Sequence, residues 1–127
     1  MSQALLTGEY RSKKGGESGA TERRVNWRAA VEQDGKVHYG RLTLISRNYV
    51  EMMVPHNLSK NSAMLFIQMP MADDSVRVVD IEVKVRSSSL TTWDNQSNFR
   101  ARMEFSKFND RSDRIMHDFF KHNLPED

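Results

Sequence analysis

The chain has no cysteine among its 127 residues. That excludes disulfides, thiolate zinc sites and thiol catalysis. No apolar run is long enough to span a bilayer, and Met1-Ser2-Gln3-Ala4-Leu5-Leu6-Thr7 lacks the hydrophobic region of a signal peptide. A cytoplasmic location is therefore expected, and the Asn-x-Ser sequons at Asn57 and Asn95 would meet no glycosylation route. Neither charge sign dominates: 19 Lys and Arg stand against 17 Asp and Glu, for a net +2, so the bulk balance does not call for nucleic acid. Also missing are a Gly-rich phosphate loop, a serine elbow and any metal-ligand spacing. His38, His56, His117 and His122 share no recognisable pattern with the acidic residues, and His117 and His122 are badly spaced on a helix for a common metal. No enzyme activity, cofactor or metal is expected.

What is present is a local excess of positive charge. Between Arg11 and Arg28 lie Arg11, Lys13, Lys14, Arg23, Arg24 and Arg28, opposed only by Glu17 and Glu22. Ser12, Gly15, Gly16, Ser18, Gly19 and Thr21 separate these charges. Such a polar Gly/Ser-rich stretch cannot bury enough apolar surface to order itself, which predicts a flexible arm over residues 1–21 and a folded domain over 22–127. The run Glu22-Arg23-Arg24-Val25-Asn26-Trp27-Arg28 sets three guanidinium groups just before the first clear strand. Each is a planar fork of donors that can grip a phosphate, or the O6/N7 edge of guanine, through two parallel hydrogen bonds.

The remainder reads as strands followed by one helix. Trp27–Glu32 is a first strand, Asp34-Gly35 a hairpin signal, and Val37–Ile45 a second strand broken at Ser46-Arg47-Asn48. Tyr49–Val54, ending at Pro55, and Ala63–Met69 follow. Val76–Val85 alternates apolar and polar residues over its second half, as a strand with one wet face does. A polar loop is predicted over Ser87–Asn98, and Phe99–Phe105 alternates again. From Asp110, read as an N-cap, the period becomes helical, with Ile115, Met116, Phe119 and Phe120 on one face and Pro125 beyond the end. Short antiparallel strands with one terminal helix predict a small six-stranded β-barrel with the helix over an opening. The scattered methionines read as core filler.

Arg24 and Arg28 have R-x-x-x-R spacing, and with this order of elements the chain resembles the PilZ domain family, bacterial receptor modules for cyclic di-GMP, over roughly Thr21–Leu124. The family's second motif, Asp/Asn-x-Ser-x-x-Gly, falls on Leu44-Ile45-Ser46-Arg47-Asn48-Tyr49, where only Ser46 matches; Gly40-Arg41-Leu42 before it resembles the family's approach to the turn. The resemblance implies a mainly β fold with one C-terminal α-helix. It implies a cyclic di-GMP site of Arg23, Arg24, Arg28, Ser46, Arg47 and Tyr49, with the arm ordering on the barrel and a protein partner sensing the change. Leu44 offers no acceptor where the family has an acid or amide, and Tyr49 replaces a glycine. A missing acceptor costs about 1–3 kcal/mol, while Trp27 or Tyr49 stacked on a guanine would return a similar amount.

Two other classes compete. A PilZ-like adaptor that has lost the nucleotide would keep the fold and use only protein contacts. A single-stranded nucleic-acid binder would use Arg41, Arg47, Arg86, Arg100 and Arg102 along a phosphate backbone, but Glu51, Asp73, Asp74, Asp80, Glu82 and Glu104 interrupt that path.

Overall fold

The computed structural model describes residues 22–93 and 95–124. Six strands, β1 (Glu22–Gln33), β2 (Lys36–Ser46), β3 (Tyr49–Val54), β4 (Ser62–Pro70), β5 (Val76–Trp93) and β6 (Gln96–Phe108), precede one helix, α1 (Asp110–Asn123). All pairings are antiparallel and close the ring in the order β1-β2-β3-β6-β5-β4. The Gly/Ser-rich arm over residues 1–21 lies outside the described residues, as does Pro125.

The Asp34-Gly35 signal works as expected. Both residues take positive φ, 55° and 79°, as the two-residue turn between β1 and β2 requires. The alternating residues of each strand then fill one core: Val31, Leu42, Ile45, Val50, Met52, Leu65, Ile67, Ile81, Val83 and Met103 are fully buried. Met52, Met69, Met103 and Met116 are part of that packing.

Each end of the ring is covered. At one, Leu58 from the β3–β4 connection enters the core, and the buried Gln33 amide fixes the loop, donating to the Ser59 carbonyl (2.9 Å) and accepting from the Ser59 amide (2.9 Å). At the other lies α1, whose N-cap is Asn109 rather than Asp110: the Asn109 side chain accepts from the Ser112 amide (2.8 Å), and Asp110 falls inside the first turn. Ser112 Oγ donates to the Asp80 carbonyl (2.7 Å) and anchors the helix on β5. Ile115, Met116, Phe119 and Phe120 face the core as their spacing predicts, with Trp27 edge-on to Phe119 at 5.3 Å. No helix among the described residues is long and apolar enough to cross a membrane.

Two boundaries differ from the sequence reading. β1 begins at Glu22, not Trp27, so the three arginines are strand residues. A register shift between Arg24 and Trp27 interrupts the alternation, which hides the strand from a period-two search. The predicted loop Ser87–Asn98 is a hairpin instead, with Ser87 to Trp93 paired to Arg102 to Gln96 and Asn95 at positive φ (61°) in the turn. Mostly solvent-exposed on both faces, this ribbon has no apolar alternation to betray it.

Candidate functional site

Strand parity sorts the arginines. Arg23 sits opposite Ile45, whose side chain is in the core, and its guanidinium reaches the end of α1, donating to Asn123 Oδ1 (2.9 Å). Arg24 sits opposite Leu44, and Leu44 opposite Glu51, on the outer face of the ring. Arg28 is also exposed and pairs across β1–β2 with Arg41.

Arg28 and Arg41 border a groove of about 560 Å³ on the outside of β2, β1, β4 and β5, lined also by Tyr39, Phe66, Gln68 and Val78. One row of the sheet places Tyr39, Ala30 and Phe66 side by side. Gly40 lies in the lining, and a Cβ built on it would overlap the Met53 carbonyl oxygen, so this strand crossing admits only glycine. Tyr39 is 75% exposed. The groove therefore offers an aromatic and aliphatic floor with two guanidinium forks at its edge. Neither Arg28 nor Arg41 has an ion-pair partner among the described residues. Like charges directly opposite one another oppose strand pairing, so a bound anion would relieve this juxtaposition.

The other residues that the resemblance implied have internal partners. Ser46 is fully buried and closes the β2–β3 turn: its hydroxyl accepts from the Asn48 (3.2 Å) and Tyr49 (3.1 Å) amides and lies 3.2 Å from the Tyr49 carbonyl. Arg47 donates to the Leu124 carbonyl (2.7 Å) and stands 5.5 Å over the Phe120 ring, satisfying a free carbonyl at the end of α1. The Tyr49 hydroxyl donates to the Glu22 carboxylate. Its ring lies 4.3 Å under the Arg102 guanidinium, which in turn contacts Glu51 Oε2 through Nη2 (2.6 Å) and Nε (3.1 Å). Tyr49 thus begins β3 in extended backbone without the positive φ its glycine counterpart would allow. Trp27 is turned to Phe119 and the core, away from any outer-face ligand.

Leu44 is only 7% exposed yet stands outside the core cluster, consistent with its outward parity. An acid or amide there would face Arg24 across the β1–β2 pairing; leucine offers Arg24 no acceptor at that position. On the opposite face, His38 and His56 place their rings 4.4 Å apart. Burial pushes the His38 imidazole below its ordinary range, helped by the neighbouring His56 and Lys36. Among the described residues, no group of three or more His, Asp or Glu is placed to hold a metal ion.

Sequence reasoning put Arg28 at the site but did not find the groove. As a ligand contact Arg41 entered only for a nucleic-acid backbone, and Tyr39, Phe66 and Gln68 not at all. The parity signal was there, since Tyr39 and Arg41 alternate with the buried Leu42, but Phe66 and Gln68 reach them only because β4 closes on β1.

No family model matches the chain, and no curated protein matches it. Solved structures do. The Bacillus subtilis inhibitor of motility (MotI/DgrA) superposes with a TM-score of 0.65 at 14% identity, over 88% of this chain and 53% of that one. The Borreliella burgdorferi PlzA protein in complex with c-di-GMP gives 0.54 at 10% identity, over 84% and 54%. The PilZ domain with c-di-GMP of YcgR from Escherichia coli gives 0.58 at 11% identity, over 84% of this chain and 97% of that domain. The chain spans about half the length of the first two proteins and nearly all of the third domain. With six antiparallel strands in a closed ring and one C-terminal helix, the chain has a PilZ-like fold.

Proposed function

We propose that this chain is a cyclic di-GMP receptor domain that binds the dinucleotide on the outer face of the ring, with no catalytic step of its own. The observation that carries this reading is the cross-strand pair Arg28 and Arg41 at the edge of the aromatic-floored groove. In this arrangement the two guanidinium forks take phosphates or guanine O6/N7 edges, and Tyr39 and Phe66 offer faces for a base. Arg24, on the same outer face, is the nearest further guanidinium along β1. The groove volume falls in the range of small-molecule sites. Two of the three similar structures hold c-di-GMP, which supports the ligand class.

Signalling follows if the bound nucleotide draws the basic arm of residues 1–21 onto the ring and thereby changes the surface met by a protein partner. The ligand shifts that equilibrium only by its differential affinity for the ordered state. Ser46, Arg47 and Tyr49 would act indirectly, holding the β2–β3 turn and the end of α1 in place.

A second reading is a PilZ-like adaptor without the nucleotide, favoured by the apolar Leu44 opposite Arg24 and by the internal partners of Ser46, Arg47 and Tyr49. Titration calorimetry of the full chain with cyclic di-GMP, with short single-stranded DNA as control, separates the readings. The receptor reading expects saturable heat from the dinucleotide and none from the DNA. The adaptor reading expects neither, and a nucleic-acid binder the reverse.

A further inference from the structure

The outer part of β5 leaves the ring with an open edge among the described residues. β4 ends its pairing with β5 at Ser62 opposite Lys84, and the Val85 amide still donates to the Asn61 carbonyl (3.0 Å). Beyond that, β5 continues from Arg86 to Trp93 paired only with β6. Among the described residues its other side carries no strand, so the peptide groups turned to that side have no ladder partner there.

Sheet proteins usually blunt such an edge with lysine, proline or a bulge. Ser87-Ser88-Ser89-Leu90-Thr91-Thr92-Trp93 has none of the first two, and its register shift lies at the base, between Val85 and Ser87. Leu90 is 67% exposed and Trp93 36%. Ser88 Oγ is buried without a hydrogen-bond partner among the described residues. A two-stranded ribbon of this kind is also marginal by itself, and stability normally comes from a third strand or a packed face.

From this edge we infer that two copies of the chain pair β5 with β5 in an antiparallel, two-fold dimer, joining two ribbons into one four-stranded sheet. The occupant is a second copy because the edge is complementary to itself. A two-fold axis near Leu90 sets the run Ser87–Trp93 against its own reverse, and that run holds no charge, so no like charges meet. The exposed Leu90 side chains then lie beside each other across the axis. The ion pair of Arg86 with Glu104 (2.7 Å) remains at the base of each ribbon, clear of the new ladder. The inference does not depend on the nucleotide site, which lies on the outer face of β2, β1, β4 and β5 nearer the barrel body.

Sedimentation velocity of the full chain over a concentration series tests this, with Leu90→Lys, Leu90→Glu and an equimolar mixture of the two. Because Leu90 is exposed in the single copy, both variants should keep the wild-type fold, read as an unchanged circular dichroism spectrum. The wild type should self-associate to a dimer, and each variant alone, setting like charges across the axis, should raise the dimer dissociation constant on the order of tenfold or more. The mixture should restore association toward the wild-type value. A wild type that stays monomeric across the series overturns the inference. So does a dimer that both variants leave unchanged, or a pair of weakened variants that the mixture does not rescue.

Discussion

Gly40→Ala adds one methyl group where the structure has no room for it. A Cβ on Gly40 falls far inside van der Waals contact distance of the Met53 carbonyl oxygen and 3.0 Å from both its carbon and Val54 Cγ1. Two of those atoms are backbone, and Met53 is held from both sides, by Arg41 of β2 and Arg100 of β6. The clash cannot be relieved by a rotamer change. Overpacking of this kind costs roughly 1–3 kcal/mol, and the lower chain entropy of alanine offsets only about 0.5–1 kcal/mol of it. A net loss of about 1 kcal/mol would lower the melting temperature by roughly 3–6 °C for a domain of this size. Urea unfolding monitored by tryptophan fluorescence gives the free energy directly, with an unchanged slope expected because the surface exposed on unfolding is the same. Since Gly40 also lines the groove, cyclic di-GMP affinity should fall along with stability. A variant as stable as the wild type would refute the close approach of β2 and β3 at this point, and with it the shape of the groove floor.

Three further outcomes follow from the same contacts. Arg47→Ala should cost about 1–2 kcal/mol by removing its bond to the Leu124 carbonyl and its stacking on Phe120, read as faster hydrogen exchange in the last turn of α1 with cyclic di-GMP affinity nearly unchanged. The double change Leu44→Asp, Tyr49→Gly restores the PilZ pattern, but it buries a carboxylate and removes the ring under Arg102; a loss of about 3 kcal/mol in a thermal melt should outweigh any tighter binding. For pH, burial in the folded state holds the His38 pKa below the ordinary histidine value of 6.5, so the folded chain binds fewer protons than the unfolded one in the window just under that value. Stability should therefore rise as pH climbs to 6.5 and fall as pH drops through that window, and His38→Gln should flatten the slope in pH-dependent melts.

Much of the architecture was legible because burial imposes a period. The alternation in Val76–Val85, the identical bounds of Tyr49–Val54 and the helical face of Ile115, Met116, Phe119 and Phe120 all reflect side chains that enter the core. Where little is buried, the period disappears: the segment Ser87–Asn98, which the strands of the exposed ribbon occupy, read as a loop, and the register shift after Arg24 concealed the start of β1. The site was less legible. R-x-x-x-R marked Arg24 and Arg28, but spacing alone could not show that Arg23 turns to the end of α1, that Arg47 satisfies a helix carbonyl, or that ring closure brings Phe66 and Gln68 to Arg28. Those depend on strand parity and long-range pairing, which a local pattern does not encode.

The groove as a cyclic di-GMP site is tested most directly by calorimetric titration of Arg28→Ala and Arg41→Ala beside the wild type, with melting curves on the same samples. Both side chains are outside the core cluster and lack ion-pair partners among the described residues, so each melt should match the wild type or rise slightly as the like-charge pair is removed. Each substitution should remove about 1.5–3 kcal/mol of binding, roughly ten- to a hundredfold in affinity, as the loss of a charge-assisted pair to phosphate or guanine does. Undiminished affinity in both variants, or no binding by the wild type, would contradict the assignment of this groove.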